Sequence, residues 1–121
     1  TTWIMGYIEH HSIIVCGNKE DVEKAHKKAK KIFDKEFEPG IADHVGSNLV
    51  SEIIVSPVND YRTFFIAPDG SKVGWDTSEY GDKAREKFKR WVKSKSDLYV
   101  DMVEVEFGGD SNKADITDYK V

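Results

Sequence analysis

Two amphipathic helical stripes set between four β-rich runs constrain this chain more than any other feature of it. The first stripe is Val22, Ala25, Ala29, Ile32, Phe33 and Phe37, at helical spacing across residues 19–37. Asn18 stands where an N-cap belongs, with Asp21 three residues on, and Pro39-Gly40 ends the run. The second stripe is Ala84, Phe88, Trp91 and Val92, flanked by Arg85, Lys87, Lys89, Arg90 and Lys93, and it predicts a helix over residues 80–94 capped by Ser78 or Thr77. The β-rich runs are residues 3–16, 49–56, 61–67 and 98–107, bounded by Gly, Pro, Asn and Asp. "IADHVGSN" (41–48) reads as a polar loop, and "KVGW" as a short strand folding back after the "PDGS" turn. Asp101 shares parity with Val103, Val105 and Phe107, so a bulge is expected in the last run.

The order β-α-β-β-α-β predicts an α+β, ferredoxin-like fold: a four-stranded, mainly antiparallel sheet with two helices on one face. The uncovered face then needs water, a ligand or a partner chain. We expect one domain over residues 1–109. Residues 110–121, polar and following "GG", read as a flexible tail whose removal should leave folding intact.

A chain of 121 residues that is 39% hydrophobic can bury one real core. It is 33% charged, and no apolar run approaches the ~18 residues of a membrane span. Trp3, Tyr7, Glu9 and two histidines break up the N-terminal apolar run, so no signal peptide is read there. A single cysteine, Cys16, rules out an internal disulfide and fits a reducing cytoplasm. Lys+Arg 18 against Asp+Glu 22 leaves a formal charge of −4, which argues against charge-driven nucleic-acid binding. "YRTFFIA" has the aromatics of an RNA-recognition strand but not its glycines.

Chemistry-bearing motifs are sparse. His10 and His11 point to opposite faces of a strand, so the pair cannot chelate one ion together. No spacing brings His26, His44, Cys16 or carboxylates to either of them, so no metal and no cofactor is expected. Nucleophile elbows, Walker loops and GxGxxG turns are absent from the sequence. The richest stretch is "PVNDYRTFFIAPDGSKVGWDTSEYGDK". Arg62, Phe64 and Ile66 share one face there, and Asn59, Asp69, Ser71, Lys72 and Trp75 lie close in sequence. With Tyr61, and His11 as a wall residue, these form the candidate ligand- or partner-binding set: His11, Asn59, Tyr61, Arg62, Phe64, Asp69, Ser71, Lys72 and Trp75. Arginine among aromatics and short polar groups suits an anionic or nucleotide-like ligand and also a protein hot spot. An ordinary hairpin with a tryptophan lid would use the same residues.

"MGYIEHHSIIV", "SPVNDYRTFFIAPDGSKVGW", the Tyr80–Trp91 stretch and "YVDMVEVEFGGD" together resemble a family of small proteins encoded by bacteriophages and prophages. The resemblance spans most of residues 5–110 apart from the first helix. It brings a genomic context and no catalytic residue. It implies a non-enzymatic accessory protein, acting in the host cytoplasm, that binds a host protein, a defence component being one such target. Two other readings stay open. One is a sponge for a nucleotide-derived signal, with Arg62 and Lys72 on phosphates and Tyr61 or Trp75 stacked on a base. The other is a small enzyme acting on such a molecule, with His11 or His10 as base. Apolar residues on an uncovered sheet face also invite a symmetric partner, so a homodimer formed through that face is expected as well.

Overall fold

The computed structural model describes residues 7–38 and 46–121. The start of the expected first strand at residues 3–6, the Pro39-Gly40 stop and most of the 41–48 loop, His44 included, lie outside the described residues. In chain order the elements are β1 (Tyr7–Ile8), β2 (His10–Gly17), α1 (Lys19–Phe37), a 3-10 turn (Gly46–Leu49), β3 (Ile54–Val55), β4 (Arg62–Ile66), β5 (Lys72–Val73), α2 (Asp76–Ser94), β6 (Val100–Phe107), a second 3-10 turn (Gly109–Ser111) and β7 (Ala114–Lys120). The fold is α+β with a mainly antiparallel sheet.

That sheet has five strands, not four, in the order β3-β4-β2-β6-β7, and every pairing is antiparallel. The fifth strand is the segment expected to be a tail. Residues 114–120 pair along β6, with Met102 opposite Lys120, Val103 opposite Tyr119 and a register shift between Glu104 and Val105. Polar composition concealed the strand because its anchors are charges. Lys120 Nζ donates to the carbonyls of Val92, Lys95 and Leu98 at 3.0, 3.1 and 2.8 Å. Three ammonium hydrogens thus meet three carbonyls at the negative end of α2. Lys93 Nζ bonds both oxygens of Asp118, at 3.0 and 2.9 Å.

The expected first strand also divides. Ile8 donates its amide to Asp110 at 2.9 Å, and the chain changes sheets at Glu9. β1 pairs with β5 as a separate ribbon, Tyr7 opposite Val73, so "KVGW" folds back on β1. The expected 49–56 strand shrinks to Ile54–Val55. Ser51 pairs Phe65 partly through its hydroxyl, which accepts from the Phe65 amide at 2.9 Å, and Val50 makes only an isolated bridge to Ile66. Gly46 permits this route, since a Cβ there would strike the Phe33 carbonyl of α1.

α1 starts as expected, with Asn18 Oδ1 accepting from the Asp21 amide at 2.9 Å. α2 starts earlier than expected. Its N-cap is Trp75, without a side-chain cap bond, and Asp76 and Glu79 offset the dipole in the first turn. Val22, Ala25, Ala29, Phe33 and Phe37 of α1 pack with Ala84, Phe88 and Val92 of α2 over Ile13, Val15, Phe64, Ile66, Val100 and Met102. Arg85 and Lys89, expected to flank the second stripe, are buried in it. Lys89 reaches Glu104 at 2.8 Å, Glu86 at 3.2 Å and Asp118 at 3.6 Å. Thr117 Oγ1 donates to the same Glu104 oxygen at 2.7 Å. Among the described residues no helix is long and apolar enough to cross a membrane.

Truncation after Gly109 should therefore lower the melting temperature strongly. Lys120→Met alone should cost about 1.5–3 kcal/mol in urea unfolding, the range for hydrogen bonds to a charged group. Unchanged stability on truncation would show that β7 does not dock. The pH dependence has two limits. Burial pushes the Lys89 ammonium down, but hydrogen bonds and charges from Glu104 and Glu86 outweigh it and hold its pKa above the ordinary 10.5. That stability is complete below the unfolded lysine value and is lost as pH rises through the raised one. Burial pushes Asp118 up, but Lys93, the Tyr119 amide and Lys89 together hold it below the ordinary 3.8. That contribution is present above the unfolded carboxylate value and lost as pH falls through the lowered one. The Lys89 and Asp118 contributions to melting temperature should stay flat between these limits and fall beyond both, and Asp118→Asn should soften the acid limb.

Candidate functional site

Among the described residues, two of the concave surfaces gather polar or strand-register residues into a candidate site, and they lie on opposite faces of the sheet. The first is a polar cleft on the helix-covered face. His11 shares parity with the buried Ile13 and Val15, and its Cα partner across β2–β6 is Glu106. Glu9, two residues earlier, turns to the same side, with its carboxylate 3.4 Å from His11 Nε2. Glu9 and Glu106 hydrogen-bond to each other. That bond, with some burial and the Glu9 charge, raises the Glu106 pKa above the usual carboxylate range, against the pull of His11 and Lys113.

Beyond Glu9 and His11 the cleft is closed by Asp69, Ser71, Val73, Ser78, Asp82 and Arg85, around a volume of about 170 Å³. Ser78, Asp82 and Arg85 stand at helical spacing on α2, so one stripe forms the wall. Arg85 is buried and bonds Asp69 at 3.2 Å and Asp82 at 2.5 Å. Asp69 Oδ1 accepts from the Ser71 amide at 2.8 Å and from its hydroxyl at 2.5 Å. Gly81 makes room for this carboxylate, since a Cβ there would collide with Asp69 Oδ2. Ser71 Oγ therefore donates to Asp69 and not to His11.

The second surface is the uncovered sheet face. Strand register places His10, Ser12, Ile14 and Cys16 of β2, Thr63 and Phe65 of β4, and Asp101, Val103, Val105 and Phe107 of β6 on it. β7 adds Ile116 and Tyr119. A groove of about 640 Å³ runs between Ile14, Cys16, Val103, Ile116, Tyr119 and Val121. It shares Cys16, Asp101 and Val121 with a second groove of about 450 Å³ at the strand ends, where Tyr61 and Tyr99 stand. Tyr61, Tyr99 and Tyr119 are 51%, 74% and 63% exposed. His10 packs its ring on Phe107, centroids 5.4 Å apart.

The residues singled out from sequence do not converge. His11, Asp69 and Ser71 meet in the cleft. Asn59, Tyr61 and Arg62 stand at the other end of β4, which at about 3.3 Å per residue separates its ends by roughly 13 Å. Asn59 and Asp60 both take positive φ in the β3–β4 turn. Arg62 clamps that turn, bonding the Asp60 carboxylate at 2.6 Å and its carbonyl at 2.9 Å. The hydrogen bond and charge of Arg62 hold Asp60 below its usual value. Phe64 is fully buried in the core and open to no ligand. Lys72 lies over the exposed Trp75 ring, 5.7 Å from its centroid, outside the cleft wall.

Glu9, Glu106 and Arg85 were missed. The i, i+2 spacing of Glu9 and His11 was visible in the sequence. Glu106 needed the β2–β6 register, and Arg85 looked like one more flanking cation. Breaking the Arg85–Asp69 pair should be severe. Arg85→Met leaves the largely enclosed Asp69 carboxylate without its cation and should cost about 3–5 kcal/mol in chemical denaturation, whereas Arg62→Met, at an exposed turn, should cost under about 1 kcal/mol. Equal small costs would place Arg85 among the surface pairs. No protein-family model, curated protein or solved structure matches this chain, so both surfaces are read from their own geometry.

Proposed function

We propose that this chain is a non-enzymatic binding protein of the bacteriophage accessory type, which lays the uncovered face of its sheet on a protein of the host. The observation that carries the reading is that face. Among the described residues, Asp101 is the one Asp, Glu, Lys or Arg that register places on it, beside Ile14, Phe65, Val103, Val105, Phe107, Ile116 and Tyr119. Contiguous exposed apolar surface of this kind marks an interaction site. Strands of 2, 5, 8, 8 and 7 residues, about 4.8 Å apart and rising about 3.3 Å per residue, span roughly 480 Å², over half of the ~800 Å² that one partner contributes to a standard interface. Exposed tyrosines at its end are the residue type enriched in interface hot spots. The partner it fits is apolar at its centre and neutral or basic at its rim, against a chain of net charge −4.

The ferredoxin-like reading of the core supports the same conclusion. α1 links β2 to β3, which flank β4. α2 links β4 to β6, which flank β2. Both crossovers pack on one face and β7 extends one edge, so the other face stays free. The nucleotide-sponge reading has less behind it. Arg62 is engaged by Asp60, and the groove that holds Tyr61 is lined by neither Arg62 nor Lys72, so the phosphate and base contacts of that reading do not meet.

The test pairs light scattering with cross-linked capture from bacterial lysate, using wild type, the double variant Ile116→Asp/Tyr119→Asp, and Lys31→Glu on the exposed side of α1. We expect a monomer that captures one host protein, unaffected by Lys31→Glu and weakened at least tenfold by the double variant at unchanged melting temperature. Capture that survives the double variant would overturn the reading. So would a dimer that the double variant dissociates, because the face would then belong to a second copy.

A further inference from the structure

We propose that Glu9, His11 and Glu106 form a binding site for a first-row divalent cation of the Zn²⁺ type, with its open coordination position facing the polar cleft. One imidazole nitrogen and two carboxylate oxygens lie within 4.8 Å of one another, and all three residues are half-buried. They come from separate points in the sequence and are set by backbone pairing. His11 and Glu106 are direct partners in the β2–β6 ladder, which holds them whether or not an ion is bound. Metal–ligand bonds of about 2.1 Å imply a tetrahedral edge of about 3.4 Å. The His11–Glu9 separation is 3.4 Å. The glutamate side chains can close the remaining gaps by rotation.

Charge points the same way. Two glutamate carboxyl groups and one imidazole nitrogen converge there. Arg85 nearby is committed to Asp69 and Asp82, and Lys113 is within 3.8 Å of Asp115. A dication would neutralise the two glutamates without rearranging the sheet. The donor set chooses among ions. Ca²⁺ takes six to eight oxygens and Mg²⁺ favours octahedral oxygen with retained water, whereas imidazole with carboxylate suits Zn²⁺ and its neighbours. Glu9 and His11 are also walls of the 170 Å³ cleft, which has room for the water that would complete the coordination sphere. The site lies on the face away from the proposed partner surface, so the two readings stand or fall separately.

Isothermal titration of the whole chain with Zn²⁺ tests the proposal. We expect one ion per chain. His11→Gln and Glu106→Gln should each weaken binding about a hundredfold or more, and excess Mg²⁺ should not displace the ion. His10→Gln, on the opposite face, should leave the Kd within twofold. Far-UV circular dichroism checks each variant, and Glu9→Gln is the second reading should Glu106→Gln fail to fold. Absence of Zn²⁺ binding would overturn the site. So would loss of binding in His10→Gln equal to that in His11→Gln, which would make the ion adventitious at the surface. Neither result would alter capture of a host protein by the opposite face.

Discussion

The buried Lys89 ammonium decides how the C-terminal half of this protein is assembled. It projects from α2 into three carboxylates, one on its own helix, one on β6 and one on β7. A charge in that position is costly unless each neighbour is satisfied in turn. Glu104 is satisfied twice, by Lys89 and by Thr117, and Asp118 is held by Lys93. Thr117 and Asp118 both belong to β7. The last strand is thus the counter-charge of the core and not an ornament on its edge. Lys120 completes the arrangement at the C-terminal end of α2, where its ammonium adds a second donor to the Val92 and Lys95 carbonyls.

This is also where the sequence was hardest to read. Periodicity found both helices and β4, because those elements bury apolar stripes that recur at 3.6 or 2 residues. It missed β7 because Asp118 and Lys120 face the helices as charges, which composition alone scores as solvent-exposed. The same blindness moved Arg85 and Lys89 to the wet side of α2, although both are buried. The short β3 failed for a different reason. Ser51 supplies side-chain bonds where a ladder would use backbone, a substitution that strand propensity does not register. Parity placed His10 and His11 on opposite faces, as the register shows, but it could not say that Glu106 sits across from one of them.

The hairpin from Asn59 to Trp75 looked like one site because its polar residues are close in sequence. In the fold, β4 runs between them. Phe64 in its middle is committed to the core, and Arg62 is committed to its own turn. What remains is a division of labour along the strand, with Tyr61 joining the groove at one end and Asp69 and Ser71 joining the cleft beyond the other. Sequence proximity carries no information about this, since a strand separates its two ends by its whole length.

β7 connects the core to the exposed surface. Its helix-facing residues, Asp118 and Lys120, answer the charges and carbonyls of α2, while Ile116 and Tyr119 emerge on the uncovered side and build one wall of the 640 Å³ groove. A register shift at Glu104/Val105 lets Thr117 reach Glu104 while Ile116 stays opposite Val105. One strand therefore serves two faces, and its charged anchors fix the position of its apolar ones. A surface that must hold exposed isoleucine and tyrosine in place gains from being fixed by ion pairs on its far side. Those contacts leave the apolar side chains exposed, whereas hydrophobic docking of the same strand would have buried them.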